Sequence, residues 1–242
     1  MKERINAIIQ ARMGSTRLPG KTLLEIEGKP ILGHVIERLR SVKDIENIIV
    51  ATSILHDDDD VEAYCKANNI NYVRGSEENV LERFGLAVKK YPSDLYIRAT
   101  ADNPMIDVEL VSSMIAFFEE MDLTYACYKN FPIGSGVEIF TDHALQEALS
   151  NANVEYEFEH VTPYMYQRME NRKVQYFTSP VDDSKIRMTV DTEEDLKFAA
   201  EMFKRLYKIN HLFGIKDIKH ELKNDPNLAD INDKVHQKKI GE

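Results

Sequence analysis

The sequence predicts an α/β fold in which a mainly parallel sheet is covered by helices on both faces. Two observations predict it. Short apolar, β-rich runs alternate with segments of helical period as far as Asp122, and the first run leads directly into a loop rich in Gly, Pro and basic residues. With 242 residues, 43% hydrophobic and 30% charged, the chain has the length and composition of one α/β domain with an ordinary core.

Arg4 to Gln10 reads as a buried strand, because Ile5, Ala7, Ile8 and Ile9 form a short apolar run. Ile31 to Val42 reads as a helix: Ile31, Leu32, Val35, Ile36 and Leu39 recur at helical spacing, and Pro30 suits the first turn. Asn47 to Ala51 is a second strand, followed by a helix whose start carries the acids Asp57 to Asp60, which the first turn favours. Tyr72 and Val73 then mark a strand, Val80, Leu81, Phe84 and Val88 a helix, Leu95 to Ala99 a strand, and Val108 to Phe118 a helix. That order is Rossmann-like and places ligands at the carboxyl ends of the strands.

After Asp122 the rhythm changes. Leu123 to Tyr128 and Val137 to Phe140 are strand-like and flank the turn-rich Asn130 to Gly136. Helices are expected at Asp142 to Leu149 and near Thr162 to Arg168, strands at Val174 to Thr178 and Ile186 to Val190, and a last strong helix at Glu193 to Leu206. The tail beyond His211 is polar, contains Pro226 and is expected to pack only partly. With no repeat or linker, residues 1–242 are read as one domain with an accessory excursion at about 123–178.

The formal charge of -10 disfavours nucleic acid as a partner, since a polyanion would be repelled. The longest apolar runs, such as Ile48 to Ala51, are too short to cross a bilayer, and the N-terminus has no signal-peptide hydrophobic region. The expected location is the cytoplasm, without membrane contact. Cys65 and Cys127 form no C-x-x-C pair and read as small, buried or half-buried thiols.

Basic charge is concentrated in one place. Up to Leu24 the only acid is Glu3, whereas Arg12, Arg17 and Lys21 share one short loop, QARMGSTRLPGK, directly after the first strand. Gly14 and Gly20 permit tight turns there, so backbone amides and the Ser15 and Thr16 hydroxyls can approach phosphate oxygens while the three cations neutralise a triphosphate. The loop matches neither G-x-x-x-x-G-K-[ST] nor G-x-G-x-x-G, which argues against a P-loop or dinucleotide fingerprint. Asp102 and Asp191 each end an expected strand, and carboxylates at such ends suit a hard cation such as magnesium. For either aspartate alone, a turn or N-cap role competes.

The pattern AR-x-x-S-x-RLPGK after the first strand resembles the signature of the CMP-sugar synthetases, including CMP-KDO synthetase. The fuller QARMGSTRLPGK resembles the spore-coat polysaccharide SpsF-type branch. The resemblance continues in order through RGSEENVLERF at Arg74 to Phe84, TADNP at Thr100 to Pro104, EHVTPYMY at Glu159 to Tyr166 and MTVDTEEDL at Met188 to Leu196. It implies the nucleotide-diphospho-sugar transferase type of fold, a homodimer, and Mg2+ held by Asp102 and Asp191. It implies that Arg12 and Lys21 contact CTP phosphates, with Ala11, Met13, Gly14, Ser15 and Arg17 beside them. Arg74, Gly75, Ser76 and Arg83 fall where the family places cytosine, although Gly75 and Ser76 are reversed and Glu77, Glu78 and Asn79 intervene. Arg83 has an equal reading as a solvated helix residue paired with Glu82 or Glu78. On the acceptor side, Gly134, Gly136, Val137 and Glu138 resemble a G-x-D-V-E segment, and His160 either orients substrate or plays a structural part.

The expected activity is magnesium-dependent transfer of CMP from CTP to an acidic sugar or related hydroxyl compound, with release of pyrophosphate, in surface-polysaccharide biosynthesis. A sugar-1-phosphate nucleotidyltransferase is the nearest enzyme alternative. A glycosyltransferase is weakened by the lack of a clear D-x-D segment, and a nonenzymatic nucleotide-binding regulator is the alternative of a different class.

Overall fold

The computed structural model of the chain describes residues 3–170 and 172–237. In chain order its elements begin with β1 (Ile5–Gln10), the short ladder of β2 (Glu25–Ile26) and β3 (Lys29–Pro30), α1 (Ile31–Arg40), β4 (Ile45–Ser53), α2 (Asp59–Ala67), β5 (Asn71–Gly75) and α3 (Val80–Lys90). They continue with β6 (Leu95–Thr100), α4 (Val108–Glu120), β7 (Tyr125–Lys129), β8 (Glu138–Thr141), α5 (Asp142–Asn151), α6 (Glu155–His160), α7 (Pro163–Gln167), β9 (Val174–Thr178), α8 (Glu193–Leu206) and α9 (Ile215–Asn224).

Seven strands form one sheet in the order β5-β4-β1-β6-β8-β7-β9. β1 lies between β4 and β6, parallel to both, and only β8 runs against its neighbours β6 and β7. The apolar run of β1 explains its central place: Ile5, Ala7 and Ile9 point into a core shared with α1, α2 and α4, while Ile8 points into a second core shared with α3 and α5. A parallel strand buried on both faces needs apolar residues on both sides of the pleat. This is the Rossmann-like, mostly parallel sheet that the strand and helix alternation predicts.

Three features differ from expectation. Ile186 to Val190 joins no ladder; it makes one isolated bridge, Ile133 to Arg187, and sends Met188 and Val190 into a third apolar cluster. Its backbone instead ties loops together, with the Val190 N–H donating to the Asp102 carbonyl at 2.8 Å. The described part of the tail packs only partly, as expected, but forms structure that the polar composition concealed: α9 and a 3-10 turn at Pro226–Ile231 bury Ile218 and Leu228 beside Phe213. Ile215, Ile218 and Leu222 recur at helical spacing, a signal hidden by the polar composition around them. The short helix α6 was not expected, because six mostly polar residues give little periodicity.

Among the described residues, no helix is long and apolar enough to cross a membrane. Cys65 is buried and Cys127 half-buried, and both are free thiols, as their spacing indicated.

Candidate active site

The loop between β1 and α1 stands at the carboxyl end of β1, where the sheet opens into a cleft of about 870 Å³. Its shape is fixed by its own backbone. The N–H groups of Ser15 and Gly20 both donate to the Met13 carbonyl, Thr22 Oγ1 donates to the Arg12 carbonyl, and Gly20 takes a φ of 70° that an L side chain resists. From outside the loop, Asp58 accepts the Met13 N–H at 2.7 Å and the Ser53 N–H at 2.9 Å. Asp58 is buried, so one member of the Asp57 to Asp60 run clamps the loop to the end of β4 instead of merely facing solvent. Four consecutive acids gave no sequence signal to single it out.

Asp102 and Asp191 are 89 positions apart in sequence, yet both reach the same ammonium group. Lys21 Nζ donates to Asp102 Oδ2 at 2.7 Å, to Asp191 Oδ1 at 2.8 Å and to the Val190 carbonyl at 3.0 Å. Arg17 lies 3.0 Å from the other oxygen of Asp191. Burial by itself pushes the Lys21 ammonium down, but the two carboxylates outweigh it and hold its pKa above the usual lysine value. Burial would also raise Asp191, and Lys21, Arg17 and Arg187 overcome that to leave its carboxyl below the usual range. Thr192, not Asp191, caps α8, so the cap reading of Asp191 is displaced. Asp102 does serve its turn, since Oδ1 accepts from Thr100 Oγ1 at 2.6 Å, while its second oxygen faces Lys21.

Could these residues hold a divalent cation? Two carboxylates already share one cationic group, and carboxylate oxygens are the donors a hard cation prefers, so the donor set fits. No group of three or more His, Cys, Asp or Glu placed to hold a metal occurs among the described residues. Phosphate oxygens and water would therefore complete the coordination of such an ion.

The far half of the cleft is built from β6, β8 and the helices α6 and α7. Arg98 and Glu138 are register partners across β6 and β8 and form an ion pair, while Glu138 also accepts from the Tyr125 hydroxyl and from Thr162 Oγ1 at 2.8 Å. Arg98 extends the network to Gln10 Oε1 at 3.0 Å. His160 lines the same half; burial lowers its pKa, so the neutral ring prevails near pH 7. Gly136 does not reach the cleft. A Cβ there would lie 2.5 Å from the Tyr128 ring, so Gly136 makes room for Tyr128, which does line the cleft with Tyr156 and Tyr166. Arg98 and Tyr128 were absent from the sequence-derived site. A charged residue within the apolar strand β6 is the signal that pointed to Arg98.

The loop residues Arg12, Gly14, Ser15, Arg17 and Lys21 line the cleft with Asp102 and Asp191, whereas Ala11 and Met13 lie behind them and do not. Arg74, Gly75, Ser76 and Arg83 also fall outside the lining, and the two arginines differ sharply. Every guanidinium nitrogen of Arg74 is engaged, by Asp59, Glu62 and the carbonyls of Ser53 and Leu55. Arg83 is fully buried, which removes the solvated-helix reading, and none of its three guanidinium nitrogens has a hydrogen-bond partner among the described residues. Burial, with Arg12 nearby and only partial relief from Asp58 and Glu77, lowers it to about 10.

A family model described as cytidylyltransferase matches residues 6–224. An uncharacterized protein of Methanocaldococcus jannaschii is 38% identical over 241 residues, 99% of this chain and 98% of that one. The spore coat polysaccharide biosynthesis protein SpsF of Bacillus subtilis is 36% identical over 208 residues, covering 83% of this chain and 85% of the relative. The structure of a cytidylyltransferase from Leptospira borgpetersenii is similar with a TM-score of 0.88 and 32% identity, over 97% of this chain and 99% of that chain.

Proposed function

This chain belongs to the cytidylyltransferase family, and from that premise we propose that it joins CMP from CTP to a hydroxyl of an acidic sugar or related compound, releasing pyrophosphate. The observation that carries the proposal is the convergence of Arg17, Lys21, Asp102 and Asp191 on one side of the cleft. In this reading Arg12, Arg17 and Lys21 neutralise the triphosphate, and Ser15 with the loop amides orients it. A Mg2+ ion held by Asp102 and Asp191 would supply further charge neutralisation near the α-phosphate. The acceptor hydroxyl oxygen would form the new P–O bond as the bond to pyrophosphate breaks, its proton passing to solvent without a dedicated side-chain base, so alignment and charge carry most of the catalysis.

The acceptor would lie toward Arg98, Glu138 and His160, with His160 orienting the hydroxyl. Arg83 is the better candidate for the cytosine pocket, since its unpaired donors suit the O2 and N3 acceptors of the base, but it is fully buried outside the cleft lining and would reach the base only if the segment before α3 opens on binding. Arg74, with every guanidinium nitrogen engaged, is retained only as a support for Gly75 and the end of β4. The proposal further takes residues 1–242 as one domain working in the cytoplasm as a homodimer, with surface polysaccharide as the pathway. The excursion at 123–178 is its interface; the exposed Tyr176 on the free edge of β9 supports that choice.

The deciding experiment measures pyrophosphate release from CTP, ATP, GTP and UTP with Mg2+ over a panel of acidic sugars, followed by product mass spectrometry. A sugar joined to CMP through a phosphodiester is the expected product. A diphosphate-linked product would move the chain to the sugar-1-phosphate reading, and no turnover with binding intact would favour a regulator.

A further inference from the structure

The segment after α9 returns to the active site. Asn232, itself buried, donates to Asp195 Oδ1 at 2.9 Å and to the Arg187 carbonyl at 3.3 Å. Gln237 Oε1 accepts from Arg187 Nη1 at 2.5 Å, and Gln237 lines the cleft. Arg187 is 5% exposed; its Nε and Nη2 donate to Asp195 at 3.1 and 3.0 Å, and Nη2 lies 3.4 Å from Asp191 Oδ2. Asp195 closes the network by accepting the Asp191 N–H at 3.1 Å.

We propose that the segment from Asn232 to Gln237 is a positioning element of the active site, which holds Arg187 and Asp195 so that both the backbone and the carboxylate of Asp191 stay fixed. The argument is one of buried charge. Arg187 spreads its donors over Asp191, Asp195 and Gln237; without the buried Asn232, Asp195 loses a neutral partner that water cannot replace without opening the site, and without Gln237, which is exposed at the cleft, Arg187 Nη1 is left to solvent and loses its fixed direction. A guanidinium released on one side re-aims on the other, and the Asp191 carboxylate moves with it. Outer partners of this kind orient ligands that meet a cation. The consequence for cation binding rests on the proposed function, because it takes Asp191 as a ligand of the divalent ion.

The test compares the full-length protein with Asn232→Ala/Gln237→Ala and with Gln237→Glu, which keeps an acceptor for Arg187. Mn2+ binding in the presence of CTP is followed by electron paramagnetic resonance, CTP binding without metal by calorimetry, and amide exchange at Asp191 by NMR without any ligand. The double variant is expected to bind Mn2+ about ten-fold more weakly while folding cooperatively, and Gln237→Glu to stay near wild type. Metal-free CTP binding should hold in all three, and Asp191 should exchange faster in the double variant. Unchanged Mn2+ binding in a folded double variant, or unchanged Asp191 exchange, overturns the positioning role. A wild-type protein that binds neither CTP nor Mn2+ refutes the functional reading instead, and the exchange result still decides the structural one.

Discussion

At the scale of single residues, the site is organised around Lys21, whose ammonium draws two distant carboxylates together. Replacing Asp102 or Asp191 by Asn keeps the shape and removes the charge, so each variant should fold yet lose most metal-supported pyrophosphate release. The double variant should be little worse than the poorer single one, since the pair acts as a unit. Near-normal turnover by a folded single variant, across several Mg2+ concentrations, removes that residue from the site. Lys21→Ala should lower turnover by about 10² to 10³, the cost of deleting one preorganised electrostatic partner. Steady-state kinetics with CTP at saturation would expose an unaltered rate if the loop holds nothing.

Elements are joined by groups that chemistry alone would place elsewhere. His34 on α1 is buried against the rings of Phe203 and Tyr207, with Nε2 donating to the Ile26 carbonyl at 2.8 Å. Burial, only partly offset by that bond, lowers its pKa from 6.5 to about 4. The folded state thus resists a proton that the unfolded chain accepts. Its contribution is complete above pH 6.5 and is lost as pH falls from 6.5 through 4, an effect of at most about 3 kcal/mol. Urea unfolding at pH 7 and pH 4.5 should show this loss, and His34→Leu should flatten it; an equal loss in the variant would assign the pH effect to other groups. Gly134, in the β7–β8 connection, has a φ of 84°, and a Cβ there would stand 2.7 Å from the Thr189 nitrogen. Gly134→Ala should therefore cost about 1–3 kcal/mol in strain, seen as a lowered Tm, and an unshifted Tm would show that the loop relaxes freely.

For the whole molecule, the proposal makes CTP a ligand of the folded state alone. CTP with Mg2+ should raise Tm more than ATP, GTP or UTP at matched concentrations; saturation at a hundred times Kd corresponds to about 2.7 kcal/mol. Equal shifts from all four nucleotides would remove Arg83 and its neighbours from base selection. Sedimentation at working concentrations should give a dimer, and a Tyr176→Asp variant should shift it toward monomer. A wild-type monomer would leave the 123–178 excursion without its proposed role.

The sequence by itself determined the sheet, because each buried strand and each covering helix carries its own apolar period, and that period depends only on local geometry. It singled out the basic loop for a similar reason: cations, glycines and a strand end are contiguous from Gln10 to Lys21. Asp102 and Asp191 stood out by type and place, but only the tertiary structure brought them to one ammonium. It also decided the fates of Arg74 and Arg83, nine positions apart and alike in chemistry, by burying one without partners and engaging every guanidinium nitrogen of the other. Composition hid the helix of the tail, and propensity misplaced Ile186 to Val190 as a sheet strand, because what each segment packs against lies far away in sequence. Local periodicity is written along the chain; the partners of a charged or half-buried group are set by long-range packing, which no local pattern encodes.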